Sequence, residues 1–233
     1  MKKLYYKESC SYSLKVLEVI NNNKLDVELY EVDESLESYS QLILGGGKPT
    51  VPCLHDENGW LYESKLIIEY LNRKSILLNH GFCKFTNEDV QFIKDNIDDL
   101  SRSSCLNSIL VMASYRGKMH VFLSNDNKNY NAGDSSEKSN KDNKNKPLYC
   151  EKVVNSGKSL YVSNASIDPE WAENEDLKLF GLGVYLGFPI KVNDKVIGTL
   201  CSLHDQPFDF KKGSPSVYER MNCLKDKIEN LLL

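Results

Sequence analysis

Cys10 stands in Tyr5-Tyr6-Lys7-Glu8-Ser9-Cys10-Ser11-Tyr12-Ser13, where a β-like run ends and helix-capping residue types begin. A thiol at such a turn faces free N–H groups and the positive end of a helix dipole. Both favour the thiolate, the form that attacks disulfides. Lys7 adds a positive charge nearby. The seven cysteines (10, 53, 83, 105, 150, 201, 223) contain no C-x-x-C pair, so neither a zinc site nor a disulfide framework is expected. Cys150 and Cys201 fall in an amphipathic helix and a strand and read as buried packing thiols. His204-Asp205 has no nucleophile placed beside it and reads as a strand-end cap.

The elements that must position Cys10 begin with a strand at 3–6 and a helix at 11–22 carrying Leu14, Leu17 and Val19/Ile20. A strand at 27–32 and a helix at 36–44 follow, the latter stopped by Gly45-Gly46-Gly47. Asp56-Glu57-Asn58-Gly59 turns between two further strands, and a helix from Glu63 to Asn72 closes a βαβαββα unit. We place that domain at 1–76 and a linker at 77–84. The second domain, 85–233, reads as a helix at 86–100, strands at 108–113 and 119–123, a helix at 148–155 and a strand at 160–163. A short helix around 170–179, strands at 184–192 and 195–203 joined by Asn193-Asp194, and a final helix at 215–232 complete it. In that last helix Val217, Met221, Leu224, Ile228 and Leu231/Leu232 make one apolar stripe, able to pack on its own domain or on a second copy. Residues 125–146 hold only Tyr130 and Ala132 as apolar members and are expected to form a mobile insertion.

The overall composition narrows the function classes. Lys+Arg 29 against Asp+Glu 33 gives a net charge of −4, without the basic excess of a nucleic-acid binder. The chain has no apolar run of membrane-spanning length and no signal-peptide pattern, so no membrane association and a cytoplasmic location are expected. A 41% hydrophobic share is enough to form real cores.

The first 74 residues resemble glutaredoxins, thioredoxin-fold proteins with the active-site pattern Lys-x-x-Cys-Pro-Tyr-Cys, here Lys7, Cys10, Ser11, Tyr12 and Ser13. Thr50-Val51-Pro52 resembles the family's cis-proline strand end. Glu63-Ser64 is similar to the pair that holds the γ-glutamyl end of glutathione in glutathione-transferase N-terminal domains. The resemblance implies Cys10 as catalytic residue, Lys7, Tyr12, Val51, Pro52, Glu63 and Ser64 as the glutathione contacts, and glutathione as co-substrate. Ser13 replaces the resolving thiol and Ser11 the usual proline, which leaves monothiol chemistry, with mixed disulfides to protein thiols as the expected partners.

The second half resembles a GAF domain through Tyr149 to Val154, Leu160 to Ala165, Gly183-Val184-Tyr185-Leu186-Gly187-Phe188-Pro189-Ile190 and Ile197-Gly198-Thr199-Leu200-Cys201-Ser202-Leu203. This implies an antiparallel sheet with helices on both sides, in a family of sensory modules that bind small molecules or dimerise. The cyclic-nucleotide signature of some GAF domains is absent, so no ligand is implied; Leu179-Phe180 and Val184-Tyr185 read as core, and any pocket in the apolar site is a default expectation. The expected architecture is an α/β domain followed by an α+β domain, and the expected function a glutathione-linked monothiol oxidoreductase or redox sensor with a sensing or homodimerising module. A non-catalytic ligand-binding regulator and a glutathione-transferase-like enzyme remain open.

Overall fold

Strand β1 (Lys3–Tyr6) buries Leu4 and Tyr5 and runs into helix α1 (Ser11–Asn23) through a four-residue turn. The buried face of α1 is Ser13, Val16 and Ile20, spaced for one helical side, whereas Leu14 is exposed. Lys24 takes a left-handed conformation and its N–H closes the helix on Ile20 and Asn21. Strand β2 (Glu28–Glu31), helix α2 (Leu36–Gly46), strands β3 (Cys53–Asp56) and β4 (Gly59–Tyr62) and helix α3 (Ser64–Asn79) follow. The sheet order is β2-β1-β3-β4, with β1 and β2 parallel and the rest antiparallel. Leu4, Val16, Ile20, Leu54, Ile67 and Leu71 form one core; Tyr5, Val32, Leu42 and Cys53 form another, against which Trp60 packs. Trp60 stacks on His55 at 4.2 Å.

This computed structural model describes residues 2–125, 127–139 and 148–233, and the chain divides into two units, Met1–Ser75 and Ile76–Leu233. The stretch expected as a linker at 77–84 is instead the end of α3, to Asn79, and a 3-10 turn at Gly81–Lys84. Phe82 explains the difference, because it is fully buried in the second unit's core beside Phe85 and Phe122.

The second unit continues with α4 (Asn87–Ser104), started by a capping box in which the Asp89 N–H donates to Thr86 Oγ1 at 3.1 Å and the Thr86 N–H to Asp89 Oδ2 at 2.8 Å. Strands β5 (Ser108–Tyr115), β6 (Lys118–Ser124) and β7 (Ser135–Glu137), helix α5 (Tyr149–Ser156), strand β8 (Leu160–Val162), helix α6 (Glu175–Phe180), strands β9 (Val184–Val192) and β10 (Lys195–His204) and helix α7 (Val217–Asn230) complete it. All six strands pair antiparallel in the order β7-β6-β5-β10-β9-β8. Alternation along β5 and β10 gives two apolar faces. Ile109, Val111 and Leu200 meet α4 and α7, whereas Leu110, Met112, Cys201 and Leu203 meet α5. Tyr149 of α5 lies between Trp171 and Tyr185, each 4.8 Å away. At Gly198 a Cβ would come within 2.1 Å of the Met112 carbonyl, so only glycine fits where β10 meets β5.

Two further expectations need correction. Residues 127–139 are not a featureless insertion: β7 pairs with β6, Ala132 is buried, and Tyr130 is tied to Asp176. The remainder of that insertion, 140–147, and Asp126 lie outside the described residues. The helix expected around 170–179 is the shorter α6, capped by the Asn174 side chain. The apolar stripe of α7 is buried within its own unit: Val217, Met221, Leu224, Ile228 and Leu232 all join the core shared with α4 and β9.

Candidate functional sites

The register gathers the first site. Tyr5 pairs with Tyr30 on β2 and Cys53 on β3, and Cys53 pairs with Tyr62 on β4. The segments just past this row, Lys7–Cys10, Val51–Pro52, Glu63–Ser64 and Asp33, therefore share one end of the sheet. Cys10 is the N-cap residue of α1, half-buried, and its Sγ lies 3.9 Å from the Val51 carbonyl, next to the cis Val51–Pro52 bond. Burial opposes its ionisation. The Ser13 N–H, the Ser13 hydroxyl, the Tyr12 N–H and the Lys7 charge outweigh that effect, and the thiol pKa falls below the ordinary value.

Ser13 was identified in the sequence only as a missing cysteine, and the structure gives it a positive role. It is fully buried, its Oγ accepts from the Lys7 N–H at 3.3 Å, and its hydroxyl donates toward Cys10. Lys7 Nζ is 2.6 Å from Asp33 Oδ1, a partner that only the parallel β1–β2 pairing brings near. A carboxylate ligand reaching Lys7 meets an ammonium already paired. Tyr12 is 60% exposed, with Lys15 Nζ 5.8 Å from its ring centre. Pro52 is buried and Val51 half-buried. Glu63 is exposed in a left-handed conformation at φ 68°, unusual for a residue with a side chain, and its carbonyl accepts from Ile67 in the first turn of α3. Cys53, the thiol nearest in sequence to Pro52, is fully buried, and burial pushes it up to about 11.

In the second unit a cavity of about 300 Å³ opens between the β5–β6 face, α5 and α6. Its polar lining includes Tyr130, Asp134, Glu175 and Asp176, and Cys150 reaches it. Tyr130 Oη donates to Asp176 Oδ1 at 2.8 Å, across 46 residues of chain. Burial pushes the Asp176 carboxyl up to about 6 and the Tyr130 and Cys150 groups above their ordinary values. Leu179 and Phe180, expected as core, are instead exposed and line this cavity; Tyr185 is core as expected. His204 and Asp205 engage Asn107, whose N–H donates to His204 Nδ1 at 3.4 Å and whose side chain accepts from the Asp205 N–H at 3.0 Å, a strand-end role. No group of His, Cys, Asp and Glu among the described residues could hold a metal ion, and no described helix is long and apolar enough to cross a membrane.

Comparison with known families divides the chain as the fold does. Residues 4–75 match the model of the glutathione S-transferase N-terminal domain, and residues 100–215 match that of the GAF domain. Among solved structures, the GAF domain of an Acinetobacter phosphoenolpyruvate-protein phosphotransferase is similar at 12% identity and TM-score 0.47, over 74% of this chain and 94% of that one. The A. aeolicus nlh2 GAF domain in an inactive state aligns at 15% identity and TM-score 0.46, over 70% and 96%. The free methionine-R-sulfoxide reductase from Neisseria meningitidis, in complex with its substrate, aligns at 10% identity and TM-score 0.47, over 74% and 94%. Comparison with curated proteins gave no match. The chain therefore joins a thioredoxin-fold domain of the glutathione-S-transferase N-terminal type to a GAF domain, the combination of a redox or ligand-sensing regulatory protein.

Proposed function

We propose that the first domain carries out glutathione-linked monothiol exchange at Cys10 and that the GAF domain is the chain's sensing module. In the exchange, the Cys10 thiolate attacks the glutathione sulfur of a mixed disulfide, forming Cys10–S–S–glutathione and releasing the substrate thiolate. A second glutathione thiolate then attacks the Cys10-bound glutathione sulfur. Glutathione disulfide leaves and the Cys10 thiolate returns, so that in net one free glutathione is consumed and the glutathione of the mixed disulfide becomes the other half of the glutathione disulfide. The observation that carries this reading is the Cys10 thiol at the α1 N-terminus, favoured as thiolate, with its sulfur beside the Val51 carbonyl. Lys7, Tyr12, Val51, Pro52, Glu63 and Ser64 are the proposed contacts for the tripeptide, whose backbone would pair with Val51 as an added strand.

The transferase alternative is less favoured, because the described part of the second unit is a six-stranded antiparallel sheet with flanking helices rather than the all-helical domain of that family. Incubation of the full chain with glutathione disulfide, followed by peptide mass spectrometry, tests the proposal. Glutathione on Cys10, lost in Cys10→Ser and removed by added glutathione, supports it. Unmodified Cys10 under conditions that glutathionylate Cys83 or Cys223 would overturn it in favour of a non-catalytic binder.

A further inference from the structure

The cavity of the second unit has a marked charge preference. Asp134, Glu175 and Asp176 line it, and no Lys, Arg or His does so among the described residues. Among the described residues none of the three carboxylates has a cationic partner within 4.0 Å, although ten other ion pairs form across the chain. Among the described residues the side-chain donor to Asp176 is the neutral Tyr130 hydroxyl. A carboxylate held beside an apolar wall without a counter-charge is costly, and a bound cation would offset that cost.

The remainder of the lining sets the shape of the cation. Met112, Met119, Val121 and Leu148 form an apolar floor. Phe180 meets Tyr130 edge-to-face at 5.4 Å, which places an aromatic pair beside the carboxylates. Such rings attract organic cations through their faces, and methionine side chains adapt to irregular apolar bodies. A bare metal ion would find no group of ligands suited to it among the described residues.

We infer that this cavity binds a small organic monocation, an amine with an apolar or aromatic body, whose ammonium group is held by Asp176 and Glu175 while its body lies on the methionine floor. This inference rests on the sensing role proposed for the GAF domain and names the chemical class sensed there. Ligand charge is the discriminating feature, because the three carboxylates would repel an anion and gain nothing from a neutral isostere.

Three probes of similar shape test it on the full chain by calorimetry: 2-phenylethylamine, 2-phenylethanol and 3-phenylpropanoate. The amine should bind at least tenfold more tightly than the alcohol, with the carboxylate weakest. Glu175→Gln, on an exposed helix where folding is not at risk, and Asp176→Asn should each weaken the amine several-fold and leave the alcohol unchanged. Affinity for the amine should rise from pH 5 to pH 7. Asp176, whose carboxyl burial raises to about 6, is the group that ionises over that range; Glu175 and Asp134 also face the ligand, and burial holds the Tyr130, Tyr149, Tyr185, Cys150 and Cys201 protons on. Cys10→Ser should leave binding intact, which separates this result from the redox proposal. Tighter binding of the alcohol or carboxylate, or no effect of either carboxamide variant, overturns the cation assignment alone. Failure of all three probes to bind a folded protein overturns it together with the sensing role.

Discussion

Cys10 and Cys150 both stand at helix starts, one as the N-cap of α1 and the other as the second residue of α5, yet they ionise in opposite directions. Both are approached by backbone N–H groups, so the helix terminus does not separate them. Burial does. Cys10 is half-buried and keeps its advantage, whereas Cys150, packed against Cys201 and Tyr149, is pushed well above the ordinary thiol value. A helix dipole contributes about 1 kcal/mol to an ionised group at its end, less than the dehydration of a buried thiolate costs. A helix start therefore marks a reactive cysteine only where water still reaches the sulfur.

The sharpest test of this contrast is native-state alkylation followed by mass spectrometry. Burial lifts Cys201 to about 12, and Cys10 should react at neutral pH roughly a thousandfold or more faster than Cys201 or Cys150. Comparable rates in the folded protein would dissolve the distinction between the two domains.

The second test moves to a carboxyl of the second unit. Asp176 is raised to about 6 in the folded chain, so between about pH 4 and pH 6 the folded state holds a proton that the unfolded state has lost. Stability contributed at this site therefore falls as pH rises through that window, the reverse of an ion-paired carboxylate. Asp176→Asn, which can still accept from Tyr130, should stabilise the second unit by ~1–2 kcal/mol at pH 8 and by nothing at pH 4. Denaturant melts at the two pH values decide it; a loss of stability at pH 8 would show that the carboxylate is paired in solution.

Two smaller effects concern Cys10 itself. Ser13→Ala removes a hydroxyl that donates toward the thiolate, and alkylation of Cys10 at neutral pH should slow by roughly three- to tenfold, with its pH midpoint moving upward. An unchanged midpoint would assign the low pKa to the backbone N–H groups and the Lys7 charge. Asp33→Ala frees Lys7 from its 2.6 Å partner, and because the pair is solvent-accessible the rate should rise by no more than about twofold, with little change in stability.

The sequence made local features plain and long-range ones obscure. Cys10 is legible because strand, capping residues and helix follow one another within ten residues. The β9–β10 hairpin is legible because Asn193 and Asp194 both adopt positive φ, as a two-residue turn demands. Asp33 was missed because its approach to Lys7 depends on parallel pairing, and the Tyr130–Asp176 bond because it spans separate elements. Strand β7 was hidden by its composition: Ser135-Ser136-Glu137 is a polar edge strand with no alternation to read. The linker was misread because Asn72, Arg73 and Lys74 interrupt the apolar pattern of α3, while Ile76 beyond them is buried in the core of the second unit.

The chain has two tryptophans, and each unit owns one. Trp60 lies against His55 and Tyr5 in the first, Trp171 against Tyr149 in the second. The molecule thus carries an intrinsic optical label for each domain. A Trp171→Phe chain would emit from the thiol domain alone, with an imidazole stacked on the emitter, and a Trp60→Phe chain from the GAF domain alone. Fluorescence melts of that pair would record the two domains separately within one intact polypeptide, without an added dye.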